Sequence, residues 1–567
     1  MKGKVWGIGL VLVLIGAMVG GLPASVKVAQ ASPGTIWVNT TGWWHEGGNF
    51  NASSTPIQDA LDTAIEEDTI IVKDGTYDEN VVVGVANLTI QSENGPASCI
   101  VSASTSVEPV FNVTASYVNI TGFTIQNATG TDSAGIYLNG TGYCNITGNN
   151  VTNNYYGIYL HSSSNNTLTN NSAYNNTQAG IYLSSSNDTI TGNNVTLNGD
   201  GIYLDTATNM LLEGNTVTSN TGGEFGDGIR AAGVCNDTVI RGNNISYNNF
   251  GIDLFGGDFV NFTIANNTVS DNPSGGIWMG NMDNSTVEGN EVAGATGDPG
   301  IGIVLVLSDS NNLTDNTAYN NAQGIYLGLS SSNNNISSNN ASANDYGIWV
   351  NSSSGNTIYN NYFNNTYNAY DNGNNAWNIT KTAGTNIIGG PYLGGNYWSD
   401  YAGSDTNHDG LGDTLVPYNS TGNITSGGDY LPLVPAADYA TINGTVYEAN
   451  ASVLPDAAVT LKLDSSEVAN TTTNAGYYYF TVNNTGDYTV NVTSSGLTSS
   501  EKEADITALG QTYTIDFKGM DAPYRTAPDT LYCLKCSNLW LYGAYHGEFA
   551  LDATRVSDVL YAWKNPS

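Results

Sequence analysis

Short alternations of apolar and polar residues, broken by turn residues, run from about residue 81 to residue 390. The clearest strand is Gly-Ile-Tyr-Leu, first met at residues 135–138, in which Ile and Leu alternate with an aromatic residue. A period of two puts Ile and Leu on one face of a strand and the ring on the other. The Gly-Ile pair returns at steps of about 23 residues, a fixed period that predicts a solenoid. Its glycines are Gly135, Gly157, Gly180, Gly201, Gly228, Gly251, Gly276, Gly302, Gly324 and Gly347.

Each repeat contains a second strand, typified by residues 187–193, in which Ile190 is predicted to point inward and Thr191 outward. The matching inward positions are Leu168, Leu212, Ile240, Ile264, Val287, Leu313, Ile336 and Ile358. Three residues after the inward position comes an asparagine in each of nine units: Asn171, Asn193, Asn215, Asn243, Asn267, Asn290, Asn316, Asn339 and Asn361. Asparagine tolerates the left-handed backbone of tight corners, and stacked amides can hydrogen-bond along an axis. We therefore expect a structural asparagine ladder.

Coils of this length, with two or three short strands and no intervening helices, predict an all-β right-handed parallel β-helix over residues 81–390. Leucine-rich repeats share the period, but their L-x-x-L-x-L-x-x-N pattern is absent. Residues 32–80 are expected to form an N-terminal cap and the first strands. Within them, residues 55–58 (Thr-Pro-Ile-Gln) match a capping box with proline at the first helical position. A short helix there would cover the open end of the sheets.

The pattern changes after residue 390. Residues 391–435 are interpreted as the end of the helix, with Gly394–Asp400 leading into an acidic loop. Residues 440–518 contain short strands of alternating apolar and polar residues separated by turns, which predicts a small β-sandwich. Its expected strands are 442–447, 458–463, 477–482, 488–492 and 512–517. Residues 519–567 receive no fold assignment.

The N-terminus is typical of a secretory precursor. Lys2 and Lys4 precede an apolar run, and Ala29-Gln30-Ala31 fits a cleavage site, which predicts a signal peptide at residues 1–31. No second apolar span follows, so no membrane span is expected after cleavage. The mature protein is expected outside the cell or at its surface.

The chain is strongly acidic, with a formal net charge of −36. Such a surface repels nucleic acid and anionic membranes. Between Lys73 and Lys381 the only basic residues are Arg230 and Arg241. More than thirty Asn-x-Ser/Thr sequons would make a glycoprotein in a host that builds N-glycans, or they simply follow from an Asn/Thr-rich repeat.

The segment 57–77, the Gly-Ile-Tyr-Leu coils and the Gly-Asn-Tyr-Trp-Ser-Asp run at 395–400 resemble NosD-like right-handed β-helix proteins with PbH1 repeats. The resemblance covers about residues 35–435. It implies a pectin-lyase-like solenoid and an exported surface protein. The family name implies periplasmic copper delivery, and some related β-helices act on polysaccharides. Residues 440–518 resemble the carboxypeptidase-regulatory-like β-sandwiches that serve as spacers.

The acidic loop predicts a structural calcium site. Oxygen donors Asp405, Asn407, Asp409 and Asp413 occupy positions 1, 3, 5 and 9, with Gly410 at position 6. This spacing matches the start of an EF-hand-type loop, and hard oxygen donors suit Ca²⁺. The bidentate Glu expected at position 12 is missing, so a plain acidic turn is the alternative.

The third position of the repeat is expected to form an outward row on the solenoid. Seven of its side chains, called the aromatic strip, are Tyr137, Tyr159, Tyr182, Tyr203, Trp278, Tyr326 and Trp349. Rings about 4.8 Å apart would form a flat strip that can bind a polysaccharide or other glycan. Two alternatives remain open: the rings only stabilise the sheet, or they pack against a neighbouring surface-layer protein.

Arg230 and Asp253 interrupt this row in adjacent coils, with Asp205 and Asp227 expected nearby. Glycoside hydrolysis needs paired carboxylates. The resemblance to related β-helix enzymes implies that a polysaccharide lyase would use an Arg base. These four residues are therefore the candidate catalytic site of a polysaccharide lyase or glycoside hydrolase. A surface ion pair across two coils is the alternative.

Copper handling would need clustered His, Met or Cys. The four histidines are scattered and the methionines do not cluster. Cys533 and Cys536 form a CxxC that could join His546 in a metal site or close a disulfide. The sequence thus favours a non-catalytic, calcium-stiffened surface protein that binds glycan or a partner, with a carbohydrate-active enzyme and copper delivery as alternatives.

Overall fold

The structure is a computed structural model that describes residues 32–222, 225–407, 409–435, 440–448, 452–495, 499–507 and 509–518. Its body is a right-handed parallel β-helix whose coils stack three long sheets, and a β-sandwich follows, so the predicted fold class is confirmed. The predicted signal peptide and the Cys533–Cys536 pair lie outside the described residues.

Sheet A contains sixteen strands, of which the two at 42–45 and 51–52 are antiparallel additions at its N-terminal edge. The strands of sheet A are Thr35–Asn39, Gly42–His45, Asn51–Ala52, Thr69–Val72, Thr89–Ser92, Asn119–Thr121, Asn145–Thr147, Thr167–Thr169, Thr189–Thr191, Leu211–Glu213, Val239–Arg241, Thr263–Ala265, Thr286–Glu288, Asn312–Thr314, Asn335–Ser337 and Thr357–Tyr359.

Sheet B follows sheet A in each coil and is entirely parallel. Its strands are Gly75–Asp78, Cys99–Ser102, Thr124–Gln126, Asn150–Thr152, Ser172–Tyr174, Asn194–Thr196, Thr216–Thr218, Asn244–Ser246, Thr268–Ser270, Glu291–Ala293, Thr317–Tyr319, Asn340–Ser342, Tyr362–Asn364 and Tyr397–Trp398.

Sheet C carries the Gly-Ile-Tyr-Leu strands. Its strands are Val81–Val83, Phe111–Val113, Ala134–Asn139, Tyr156–Ser164, Ala179–Ser186, Asp200–Asp205, Ile229–Asn236, Phe250–Val260, Gly275–Gly280, Met282–Asp283, Ile301–Val306, Gln323–Gly328, Tyr346–Asn351 and Tyr367–Asp371.

The inward apolar positions stack into one continuous core along the solenoid. Ile190 and the eight matching residues predicted from the sequence are all fully buried, as are the Ile and Leu of each Gly-Ile-Tyr-Leu strand. The repeated glycine is needed because a Cβ at Gly180 would overlap a methyl carbon of Val195. Cys99, Cys144 and Cys235 are buried free thiols.

The predicted asparagine ladder is confirmed at the corner between sheets A and B. The Asn193 side-chain amide donates to Asn215 Oδ1 at 3.0 Å and to the carbonyl of Leu168 at 3.0 Å. The Asn193 backbone N–H also donates to Asn215 Oδ1, at 2.9 Å. Each amide thus satisfies buried backbone groups that would otherwise be costly to leave unpaired.

A second buried asparagine ladder lies at the corner between sheets B and C, and the sequence analysis missed it. Its members bond along the axis in the same way, for example Asn198 Nδ2 to Asn220 Oδ1 at 2.9 Å. They are Asn154, Asn176, Asn198, Asn220, Asn248, Asn272, Asn321, Asn344 and Asn365.

The N-terminal helix spans Pro56–Leu61 and packs Ile57, Ala60 and Leu61 into the core. The capping box is wrong, because Thr55 makes no side-chain cap bond. The carboxylate of Glu79 instead accepts the N–H groups of Ile57 and Gln58 at 3.1 and 2.9 Å. A carboxylate from the next coil therefore caps the helix and complements its positive end.

The C-terminal end of the solenoid is built around two buried aspartates. Asp371 accepts the indole N–H of Trp377 at 2.9 Å, and Asp429 accepts that of Trp398 at 2.8 Å. A 3₁₀ turn at Ser420–Gly422 and a two-stranded ribbon, Thr382–Ala383 with Tyr392–Leu393, complete this end.

The β-sandwich has a three-stranded and a four-stranded sheet around its own core. The strands are Ala440–Thr445, Tyr477–Val482 and Thr512–Thr514 in one sheet, and Ala458–Leu463, Ser466–Thr472, Gly486–Thr493 and Ser500–Ile506 in the other. The five predicted strands are present, and 466–472 and 500–506 were missed. Both are polar edge strands, which lack a clear apolar alternation.

No helix in the described part of the chain is long and apolar enough to span a membrane.

Candidate functional site

The third-position row lies on the outer face of sheet C, and the seven side chains of the aromatic strip are half-buried. Neighbouring rings are spaced as predicted, with centroids 4.8 Å apart for Tyr159 and Tyr182 and 5.0 Å for Tyr182 and Tyr203. Both pairs meet at 82°, so the rings pack edge to face and do not form a flat strip. Tyr137 and Tyr159, at the start of the strip, are tilted at 40°.

Arg230 and Asp253 occupy paired positions on adjacent strands of sheet C, as the sequence predicts. Asp200 and Asp227, two residues before the Ile of their own coils, lie beside them. Arg230 Nη1 is 3.6 Å from Asp200 Oδ2, and the guanidinium carbon lies 3.4 Å from the ring centroid of Phe225. We call Asp200, Asp227, Arg230 and Asp253 the Arg230 cluster.

The aspartates of the Arg230 cluster are held by backbone groups and are almost out of contact with solvent. Asp200 Oδ1 accepts the N–H groups of Gly226 and Asp227 at 2.9 and 3.0 Å. Asp227 Oδ1 accepts the N–H of Phe250 at 3.3 Å, while its Oδ2 has no hydrogen-bond partner. Asp227 is fully buried and Asp253 is 9% exposed.

Burial raises the pKa of Asp227, and the neighbouring negative charge of Asp253 raises it further. Burial also raises the pKa of Asp253, against the opposing effect of Arg230. Burial therefore disfavours the charged form of both carboxyl groups, and that of Asp227 more strongly.

Asp205 lies outside this cluster. Its Oδ2 accepts the hydroxyl of Tyr182 at 2.6 Å. Of the predicted catalytic set, Arg230, Asp227 and Asp253 lie together in the structure. The fourth member of the cluster is Asp200 and not Asp205. The cluster is buried more deeply than catalysis at an open surface requires.

A groove lies beside the cluster, at the corner between sheets B and C. The coils there are lengthened by two loops that follow strands of sheet B, one described at residues 221–222 and 225–226 and the other at residues 294–300. Between them is an open cavity of about 590 Å³. We call it the corner groove, and its main lining residues are Thr221, Phe225, Tyr247, Asp271, Pro273 and Thr296.

Hydrogen bonds fix both walls of the corner groove to its floor. Asn249 donates its side-chain amide to the Phe225 carbonyl at 3.0 Å and its backbone N–H to the Gly226 carbonyl at 2.7 Å. The N–H of Gly297 donates to the carbonyl of Pro273 at 2.8 Å. Ser274 Oγ then joins the two sides through Asn249 Oδ1 at 2.6 Å. The groove is therefore pre-formed.

Tyr247 is an exposed ring on a left-handed backbone in this groove. It occupies a corner position (φ 58°) that asparagine fills in some coils, such as Asn153 and Asn175, and that Leu197 and Asp271 fill in others. A bulky residue with positive φ is strained, and the Tyr247 side chain is also 60% exposed. The residue thus carries a backbone cost without the compensation of burial.

The acidic loop closes on itself through its own carboxylates. Asp405 accepts the N–H groups of Asp409 and Gly410 at 3.2 and 2.6 Å, and Asp413 accepts that of Thr406 at 2.8 Å. Asp409 Oδ2 pairs with Lys381 Nζ at 2.5 Å. Asn407 Oδ1 accepts the N–H of Asp409 at 3.0 Å. The carboxylates of this loop are not among any group of three or more His, Cys, Asp or Glu side chains that could hold a metal in the described residues, and calcium at this loop stays a prediction.

Four residues of these sites were missed by sequence reasoning. Asp200 could have been found, because Asp200 and Asp227 occupy the same position in successive coils, two residues before the repeated Ile. Phe225 could have been suspected from the long step between Gly201 and Gly228. Tyr247 and Asp271 had no such marker, because the corner row they belong to was not recognised.

Three family matches cover successive parts of the chain. Residues 110–269 match the right-handed beta helix region, residues 224–403 match the periplasmic copper-binding protein family NosD, and residues 441–518 match the carboxypeptidase regulatory-like domain. No curated protein sequence is significantly similar to the chain.

Several solved structures are similar to this chain at low identity. The Dettilon tailspike protein is 15% identical, covers 79% of this chain and 75% of its own, and has a TM-score of 0.45. DFA-IIIase from Arthrobacter chlorophenolicus A6 is 14% identical over 50% of this chain and 84% of its own, with a TM-score of 0.40. The A-module of mannuronan C-5 epimerase AlgE4 from Azotobacter vinelandii is 14% identical over 50% and 89%, with a TM-score of 0.38. Identities and scores at this level support no statement about activity.

Proposed function

We propose that this chain, a NosD-like β-helix followed by a carboxypeptidase-regulatory-like β-sandwich, is an exported surface protein that binds glycan in its corner groove without cleaving it. The carrying observation is Tyr247, an exposed ring held on a strained backbone at the groove floor. Asparagine or glycine is the less strained choice at such a corner, and the Tyr247 ring lines the groove, where a ligand can contact it.

The composition of the corner groove supports this proposal. Phe225 and Tyr247 are 41% and 60% exposed, and Thr221, Asn249 and Thr296 offer hydroxyl and amide groups. Sugar rings combine apolar faces with hydroxyl groups, so they suit aromatic surfaces bordered by neutral hydrogen-bonding side chains. Fixed loops keep the ordering cost of binding low.

The aromatic strip extends the proposed binding surface along sheet C. Its members, Tyr137, Tyr159, Tyr182, Tyr203, Trp278, Tyr326 and Trp349, would contact a polymer through ring edges and hydroxyls. A neighbouring surface-layer protein packing on the same face is the alternative occupant. Bound Ca²⁺ at Asp405, Asn407, Asp409 and Asp413 would stiffen the end of the rod in either case.

A carbohydrate-active enzyme at the Arg230 cluster is the second candidate. The raised pKa values and the unpartnered Asp227 Oδ2 favour it, because perturbed carboxyl groups concentrate at active sites. It ranks second because Asp227 is fully buried and Asp253 is almost so, which leaves a sugar chain no access between the two carboxyl groups. Glycosidases instead separate their two carboxyl groups by about 5 Å or more, with the scissile bond between them.

Copper binding, which the NosD family name describes, does not fit the described residues. They contain no group of three or more His, Cys, Asp or Glu side chains arranged to hold a metal. Met210, Met279 and Met282 are buried in the core. Copper delivery is therefore not proposed for this part of the chain.

An oligosaccharide array probed with the full mature protein tests the proposal. We expect wild-type protein to bind at least one neutral or amino-sugar oligomer, and a Phe225→Ala variant to lose that binding. Absence of binding to any oligomer would overturn the glycan role. Release of shorter products, abolished by Asp253→Asn, would move the enzyme to first place.

A further inference from the structure

The charge of the corner groove is negative only. Among its described lining residues Asp271 is the only charged side chain. The groove also lies in the stretch between Lys73 and Lys381, where the only basic residues are Arg230 and Arg241. Arg241 pairs with Glu213 at 2.9 Å, and Arg230 belongs to the buried cluster. An anionic sugar such as a uronate would therefore meet no free cation and a repulsive field.

Tyr247 and Asp271 are neighbours across one coil step. Ser246 and Ser270 pair in parallel register in sheet B, so the residues that follow them, Tyr247 and Asp271, project side by side from the corner. Both have left-handed backbones, with φ values of 58° and 55°. Both side chains are exposed, and coils in such a sheet are about 4.8 Å apart.

An electron-rich ring beside a carboxylate is a recognition pair for an ammonium group. The ring face attracts the cation through its quadrupole, and the carboxylate adds a charge-assisted hydrogen bond. Phe225 is not available for the same role on both faces, because the Arg230 guanidinium already covers one of them. We therefore expect the free face of Phe225 to contact the apolar face of a sugar. The ammonium group would bind between Tyr247 and Asp271.

We propose that the corner groove selects glycans built from amino sugars, and that a protonated sugar amine is held between the Tyr247 ring and the Asp271 carboxylate. The inference rests on the proposed glycan-binding function and specifies its ligand class. It predicts that acetylation of the amine, which removes the charge and keeps the sugar backbone, weakens binding.

The experiment compares two oligomers of equal length, a hexamer of glucosamine and a hexamer of N-acetylglucosamine, by calorimetric titration at mildly acidic pH. The full mature protein should bind the glucosamine hexamer at least about tenfold more tightly. An Asp271→Asn variant should lose that preference while it still binds the acetylated hexamer.

A matched control separates recognition from general attraction between an acidic protein and a cationic oligomer. Asp237 is an exposed aspartate with φ 53° at a different corner, outside the groove, so Asp237→Asn removes the same charge from the same backbone geometry. It should keep the preference for glucosamine.

The outcomes are distinguishable. Binding of neither hexamer, together with a blank oligosaccharide array, would overturn the glycan function itself. Equal binding of both hexamers, or equal losses in Asp271→Asn and Asp237→Asn, would overturn the amino-sugar inference while the glycan function stands.

Discussion

The ring of Phe225 lies over the guanidinium of Arg230, with 3.4 Å between the ring centroid and Cζ. Tyr203 lies 4.9 Å away, measured between its own centroid and the same carbon. Arg230 also pairs with Asp200, so the wall of the corner groove rests on the Arg230 cluster. The groove and the buried carboxylates are therefore one structural unit, and changes in the cluster should reach the groove through Phe225.

The buried carboxyl groups predict that the protein is more stable at acidic than at alkaline pH. Burial raises the pKa of Asp429 to about 7, and it raises those of Asp227 and Asp253. A raised folded-state pKa means that the folded state binds protons more tightly, so this stabilisation is complete below about pH 4 and is lost as pH rises through the folded-state pKa. Melting temperatures should fall between about pH 4 and pH 8. A melting temperature that rises over this range would contradict the assignment.

Replacement of Asp227 by asparagine should remove part of that pH dependence. The introduced amide is neutral and has the shape of the protonated acid, and its oxygen can still accept the N–H of Phe250. We expect the Asp227→Asn variant to melt roughly 2 °C above wild type at pH 8 and close to it at pH 5. Asp205→Asn, a change outside the cluster, should leave the difference between the two pH values as in wild type.

Loss of one rung of the asparagine ladder should destabilise the solenoid. Asn243→Ala removes the acceptor of the Asn215 N–H and the donor to the Leu212 carbonyl, at 2.9 and 3.0 Å. Two buried groups left unpaired cost about 2–4 kcal/mol of unfolding free energy in total. The matched control is Asn244→Ala, which changes the next residue in the chain, an exposed asparagine. This variant should change the free energy of unfolding by less than about 0.5 kcal/mol. Chemical denaturation measures both, and equal effects would argue against the ladder as a stabilising element.

Calcium binding at the acidic loop should be opposed by Lys381, whose Nζ pairs with Asp409 Oδ2. We expect Ca²⁺ to raise the melting temperature of wild-type protein and EGTA to reverse the rise. Lys381→Ala frees a carboxylate oxygen, so it should lower the calcium concentration needed for half of the effect. Lys73→Ala, which breaks the pair with Glu93 elsewhere, should not change it. If calcium leaves the melting temperature of all three proteins unchanged, the prediction that the acidic loop binds calcium is wrong.

Periodic features were accessible from the sequence because each residue recurs in the same environment. The repeated positions of Ile190 and Asn193 correctly predicted a core row and an asparagine ladder, since the parallel register places equivalent residues above one another in successive coils. The helix cap was not accessible, because Glu79 comes from another coil and caps through space. Ring orientation in the aromatic strip was also beyond the pattern, because spacing fixes the distance between Tyr159 and Tyr182 and leaves the angle free.

The candidate site was only half accessible for a related reason. Arg230 and Asp253 were visible as breaks in a repeated row. Tyr247 and Asp271 lie at a corner that is left-handed in every coil from Asn153 to Asn320 and whose residues vary, so only the corner groove distinguishes Tyr247. Sites that depart from the repeat are found by their breaks, and sites built on variable corners need the geometry.

The most direct test of the glycan role is a pair of matched substitutions, Tyr247→Asn and Tyr143→Asn. Both tyrosines are exposed and have left-handed backbones, with φ values of 58° and 60°, but only Tyr247 lines the corner groove. Asparagine suits this backbone better, so Tyr247→Asn should not lower the melting temperature. Titration with the glucosamine hexamer should show at least about tenfold weaker binding for Tyr247→Asn and unchanged binding for Tyr143→Asn. Unchanged binding in Tyr247→Asn, or equal losses in both variants, would contradict the corner groove as the glycan site.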